Sequence, residues 1–132
     1  AYNLGDSRYP IASAWFEGLM NGSERACFCW ETINGFIRIS TNPVAMPNPY
    51  SLTEAHTIVR SWLTSPNALF LHPSEDHLDV IRKLGLKANA RGKLHSDAIL
   101  AAYAVENDAT IASSDKNFRL FDGIKLVDPL SS

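Results

Sequence analysis

Apolar positions recur at helical spacing in five stretches of this chain, and short apolar runs lie between them. From Pro10, a favoured first-turn residue, the positions Ile11, Ala14, Trp15, Gly18 and Leu19 repeat along one face until Asn21-Gly22 ends the pattern. Ala26-Cys27-Phe28-Cys29 is bounded by charge and reads as a buried strand. Thr32 to Ser40 returns to helical spacing through Ile33, Phe36 and Ile37. Thr41-Asn42-Pro43 stops it, and Pro43, Pro47 and Pro49 stiffen the loop that follows. Ser51 and Glu54 form a capping-box pattern that opens a helix carrying Ala55, Ile58, Val59, Trp62 and Leu63. Ala68-Leu69-Phe70-Leu71 is the next strand. Ser74 is expected to cap a helix through Leu78, Ile81 and Leu84, and Ser96-Asp97 to open the most apolar helix, Ala98 to Glu106. Thr110–Ser113 and Lys125–Val127 are late strands, with a turn at Phe118–Phe121 between them.

Strands alternating with helices predict an α/β fold with a largely parallel sheet. The strands hold only about four residues each, below the usual 5–6, as if the sheet lacked a member. With 132 residues a single domain is expected, since two would each be short of core. The longest unbroken apolar stretch, Ala98 to Val105, is far below the roughly 20 residues of a membrane span. No charged stretch followed by an apolar run opens the chain, so a soluble, cytoplasmic protein is expected.

Charge is balanced overall, with 12 Lys+Arg against 14 Asp+Glu and a pI near 6.1, which argues mildly against a dedicated nucleic-acid-binding module. Its distribution is uneven. Arg82, Lys83, Lys87, Arg91 and Lys93 fall in a stretch without a single acid, readable as a solvated helix end and loop or as a phosphate-facing patch. Cys27 and Cys29 would have Cα atoms roughly 6.5–7 Å apart in a strand, at the limit for a disulfide, and lack the spacing of a redox or zinc pair. They read as small buried hydrophobes.

Three carboxylates follow strand candidates closely: Glu31, Asp97 and Asp115. Each has a local explanation, as a first-turn acid or a cap. Together they fall at the same end of a parallel sheet, where they would repel one another unless a cation lay between them. Such a set without His or Cys is hard-oxygen chemistry suited to Mg²⁺ or Mn²⁺, ions that activate water against a phosphodiester. His56, His72, His77 and His95 show no paired zinc spacing. No G-x-S-x-G elbow or glycine-rich phosphate loop is present.

Trp30-Glu31, followed by Gly35-Phe36-Ile37-Arg38-Ile39-Ser40-Thr41-Asn42-Pro43, resembles the second-acid helix of PIN-domain ribonucleases of the VapC toxin type. His95-Ser96-Asp97-Ala98-Ile99-Leu100-Ala101-Ala102 resembles their third-acid helix, and Ser113-Ser114-Asp115-Lys116-Asn117-Phe118 their last acidic motif. The resemblance runs from Ala1 nearly to Pro129. It implies a PIN-like three-layer α/β sandwich around a five-stranded, mainly parallel sheet, and a Mg²⁺- or Mn²⁺-dependent endoribonuclease restrained by a cognate antitoxin. Glu31, Asp97 and Asp115 would be the metal ligands and catalytic acids. Ser113 would support the metal shell through its hydroxyl, and Arg38 would meet a phosphate or hold a carboxylate. The five bases from Arg82 to Lys93 would neutralise RNA phosphates, and the protein would be a homodimer. Family members open with a central strand ending in Asp-x-Asn, and Ala1-Tyr2-Asn3 aligns just after that motif. The resemblance thus implies that about 8–10 residues, a strand and its Asp, precede this sequence. Asp6 is a poor substitute for that acid, and Asn117 stands where many members carry another one. Without the first Asp, a catalytically inactive PIN fold that binds RNA or an antitoxin is the rival expectation.

Overall fold

Short strands and helices build the computed structural model, which describes residues 16–129. The chain divides into two compact units, one ending at Phe70 and the other starting at Leu71. The first contains helix α1, helical over residues 16–21, then β1 (Ala26–Phe28), α2 (Trp30–Ser40), α3 (Leu52–Leu63) and β2 (Ala68–Phe70). The expected helix start at Pro10 and the loop acid Asp6 lie outside the described residues. β1 stops one residue short of expectation because Cys29 turns the chain into α2. The Cys29 N–H donates to Thr32 Oγ1 at 3.2 Å, and that hydroxyl donates back to the Cys29 carbonyl at 2.9 Å. These bonds start the helix at Trp30, two residues earlier than its apolar spacing indicates.

β1 and β2 pair in parallel, with Ala26 opposite Ala68 and Phe28 opposite Phe70. Over them lies a core of Ala26, Phe28, Ile33 and Val59. Trp62 joins it to the helices, with its ring 5.8 Å from Phe28 and 4.5 Å from Phe36 between centroids. α3 starts where its capping box predicts. The Glu54 N–H donates to Ser51 Oγ at 3.1 Å, and the Ser51 N–H donates to Glu54 Oε1 at 2.9 Å. Not every residue of the run Ala26 to Cys29 is buried, however. Cys29 is buried but Cys27 is exposed, so only one of the two cysteines is the buried hydrophobe expected.

At the end of α2 the Ser40 hydroxyl is fully buried and has no hydrogen-bond partner among the described residues. A buried polar group left unpaired costs about 1–3 kcal/mol. Ser40→Ala is therefore expected to stabilise the protein by about 1 kcal/mol in urea unfolding. A loss of stability would show that the hydroxyl is satisfied.

The second unit contains α4 (His77–Ala88), α5 (Lys93–Glu106), β3 (Thr110–Ala112), a short 3₁₀ helix (Lys116–Leu120) and β4 (Lys125–Val127). β3 and β4 are again parallel, with Thr110 opposite Lys125. All four described strands are three residues long. The α/β class and parallel pairing expected from the sequence are thus present. The core gathers Leu84 of α4, Ala98, Ala101 and Ala102 of α5, and Phe118 and Phe121. The three alanines are fully buried, and their methyl side chains let α5 lie close to its neighbours. The turn expected at Phe118–Phe121 is largely the 3₁₀ helix, with both rings buried.

Two helix starts in this unit differ from expectation. Ser74 does not cap α4, whose N-cap is Asp76 without a side-chain bond. The Ser74 N–H instead donates to Glu106 Oε1 of α5 at 2.9 Å, so a distant carboxylate orders this entry. α5 begins at Lys93, not at Ser96-Asp97. Gly92 precedes it with φ +59° and ψ −127°, a combination open essentially to glycine alone. The helix then takes in Lys93 and Leu94, and Leu94 packs on the core.

Candidate functional site

The earlier start of α5 changes what Asp97 is. Placed in the second turn, it caps nothing, and its half-buried carboxylate has no role in forming the helix. Asp115 follows β3 and caps the 3₁₀ helix, its Oδ1 accepting the Asn117 N–H at 2.9 Å. Its local explanation therefore holds. α5 packs against both β3 and the 3₁₀ helix, which brings the two acids into each other's field. Burial first, and then the Asp115 charge, push the Asp97 carboxyl above its ordinary pKa. Lys93, one turn earlier on α5, pulls the other way. A carboxylate on α5 that feels the charge of a second one just after β3 forms, with it, an oxygen-donor pair that a cation would relieve.

Ser113 is buried, and its Oγ accepts the Asp115 N–H at 3.0 Å. It thereby fixes the turn that carries Asp115. A fourth acid escaped the sequence reading. Ser114 Oγ donates to Asp128 Oδ1 at 2.6 Å, and Asp128 follows β4, the parallel neighbour of β3. The signal was available, since Asp128 stands directly after a strand candidate, as Asp115 stands just after β3.

Glu31 belongs to the first unit, in the first turn of α2, and is exposed. Arg38 is exposed in the last turn of the same helix, two turns and about 10 Å along the axis from Glu31. Arg82, Lys83, Lys87, Arg91 and Lys93 are all exposed on α4, the following loop and the start of α5. Lys87 Nζ is engaged by Asp122 Oδ2 at 2.6 Å. Among the described residues, no three His, Cys, Asp or Glu side chains are grouped closely enough to hold a metal ion. No described helix is long and apolar enough to cross a membrane.

The PIN domain family model matches residues 6–124. Ribonuclease VapC37 of Mycobacterium tuberculosis is 31% identical over 129 residues, covering 98% of this chain and 90% of its own length. Ribonuclease VapC33 of the same species is 37% identical over 126 residues, covering 96% and 88%. Among solved structures, the chain is similar to one in the VapBC2 complex of Rickettsia felis bound to a promoter DNA fragment. The TM-score is 0.65 at 11% identity, with 94% of this chain and 89% of that one covered, a likeness of fold. An α/β chain with parallel strands and acids after them, matched by the PIN model over most of its length, belongs to the PIN-domain family. The relatives it matches over nearly all its residues are VapC ribonucleases.

Proposed function

We propose that this protein is a metal-dependent endoribonuclease that hydrolyses RNA phosphodiester bonds as the toxin of a toxin–antitoxin pair. The observation that carries the reading is the Asp97–Asp115 pair, a carboxylate on α5 and one just after β3, brought into each other's field by the packing of α5 on β3 and the 3₁₀ helix. It is supported by the VapC ribonucleases among the relatives. The donor set suits Mg²⁺ or Mn²⁺, which Asp97 and Asp115 would hold, with Glu31 as the third candidate ligand and catalytic acid. Bound there, the ion would activate water and stabilise charge on the phosphodiester. Ser113 keeps Asp115 in place through its backbone N–H. Arg38, Arg82, Lys83, Arg91 and Lys93 offer exposed cations to RNA phosphates, and Lys87 joins them if it leaves Asp122. A cognate antitoxin and a second copy of the chain are the expected protein partners, and the cytoplasm the expected setting.

A second reading, a PIN fold that binds RNA or an antitoxin without cutting, is favoured by the absence of any three-donor group among the described residues. One assay separates the two. The protein, incubated with a mixed RNA pool, is expected to cut it with Mg²⁺ or Mn²⁺ and not with EDTA. Asp115→Asn should lower the rate on the order of 100-fold. RNA binding without cleavage under any ion would select the second reading.

A further inference from the structure

Among the described residues, Trp30 is the aromatic side chain the fold leaves outside. The first unit has an aromatic core in which Trp62 is packed by Phe16, Phe28 and Phe36. Trp30, by contrast, is 60% exposed. Tryptophan is among the residues that gain most from burial, so a ring held in water invites a ligand.

The ring is held in place. Its backbone is the first residue of α2, fixed by the Cys29–Thr32 hydrogen bonds. Its side chain meets Phe70 edge-on, with centroids 5.1 Å apart and planes at 65°. Phe70 ends β2 and Trp30 follows the end of β1, and these strands are parallel neighbours in register at Phe28 and Phe70. Both aromatics therefore lie at the carboxyl ends of the strands, where open parallel sheets bind their ligands. The next residue along the chain is Glu31.

We propose that Trp30, braced by Phe70, is a stacking platform for an unpaired nucleobase of single-stranded RNA. The proposal rests on the ribonuclease reading above and adds how the substrate is gripped. Unpaired bases expose faces that aromatic side chains cover, and such stacking tolerates any sequence. Cations alone would hold the sugar–phosphate chain of paired and unpaired RNA alike. A platform selects the strand whose bases are free. A ring of this kind also suits a protein partner, because tryptophan is enriched at interface hot spots. Its place at the strand ends beside a candidate metal ligand favours the substrate.

The test is an anisotropy titration in EDTA with two labelled strands of equal length and charge, an oligoadenylate and an abasic ribose-phosphate chain. Wild type is expected to prefer the oligoadenylate by about ten-fold or more. Trp30→Ala should lose that preference, weakening oligoadenylate binding about ten-fold while leaving the abasic strand and the salt dependence unchanged. Trp30→Phe should keep most of the preference, and thermal melts would confirm that both variants are folded. Oligoadenylate binding that is indifferent to Trp30 would overturn the platform and leave the ring to a protein partner. If wild type still cuts the RNA pool in that case, the ribonuclease reading survives alone. No binding to either strand would overturn the platform, and no cleavage besides would overturn the ribonuclease reading with it.

Discussion

Asp97→Asn is expected to abolish RNA cleavage and, in metal-free buffer, to raise the melting temperature. The first effect follows from removing one carboxylate of the pair proposed to hold the ion, with a loss on the order of 100-fold or more. The second follows from the direction in which Asp97 is shifted. Its folded pKa lies above the ordinary aspartate value because burial and the Asp115 charge disfavour the ionised form. The folded state therefore binds this proton more tightly than the unfolded chain. Stability falls as pH rises from the unfolded pKa through the folded one, and at neutral pH the charge is a standing cost. An amide of the same shape removes that cost, along with its pH dependence in that window. Thermal unfolding between about pH 4 and 7 measures both, and a variant no more stable than wild type would show that the pair is already relieved. Loss of activity joined to gain of stability distinguishes a functional carboxylate from a structural one.

Glu106→Ala should do the reverse, with a large loss of stability. The carboxylate side chain is only 6% exposed at the end of α5. Its Oε1 accepts the Ser74 N–H at 2.9 Å, and its Oε2 lies 2.5 Å from His77 Nδ1. An ionised carboxylate can only accept, so Nδ1 carries the proton. The His77 ring is further held against Tyr103, with centroids 4.6 Å apart. Burial by itself pushes the Glu106 carboxyl up, but the Ser74 and His77 hydrogen bonds outweigh it and hold the group below its ordinary range. A depressed carboxyl contributes stability above the unfolded value of about 4.3, and that stability is lost as pH falls through the lower folded value. Truncation to Ala leaves the Ser74 N–H and the half-buried His77 ring nitrogen without their carboxylate and removes the order at the start of α4. The expected loss is about 3 kcal/mol, or roughly 10 °C in Tm. A change under about 1 kcal/mol would show that water replaces the carboxylate.

What is legible in the sequence is what lies close together in it. Ser51 and Glu54 satisfy each other within one turn, so α3 starts where the pattern says. Asp115 and Asn117 make their cap across two residues, and the 3₁₀ helix follows. The start of α4 depends on Glu106, 32 residues from Ser74, and no local pattern contains that bond. Gly92 misleads for a different reason. In a basic stretch it looks like loop, whereas its positive φ is the turn from which α5 begins. Among the candidate ligands, Asp97 and Asp115 are legible as acids near strand ends. That they act on each other depends on how α5 packs over β3, which follows from three buried alanines and not from any motif. The exposure of Trp30 is illegible for the same reason, because helical spacing does not say which ring the core takes when several compete.

Those alanines also bear on how the protein can change over generations. At Ala98, Ala101 and Ala102 no part of the residue reaches solvent, so the tolerated side chain ends at one methyl. A single-base change in an alanine codon yields Gly, Ser, Thr, Val, Pro, Asp or Glu. Most of these add bulk, charge or a broken helix to a packed contact, and glycine loosens the helix by about 1 kcal/mol. Nearly every one-step neighbour at these three sites is therefore costly. The residues packed beside Asp97 have little room to change, while the exposed basic residues of α4 remain free to follow a changing substrate or partner.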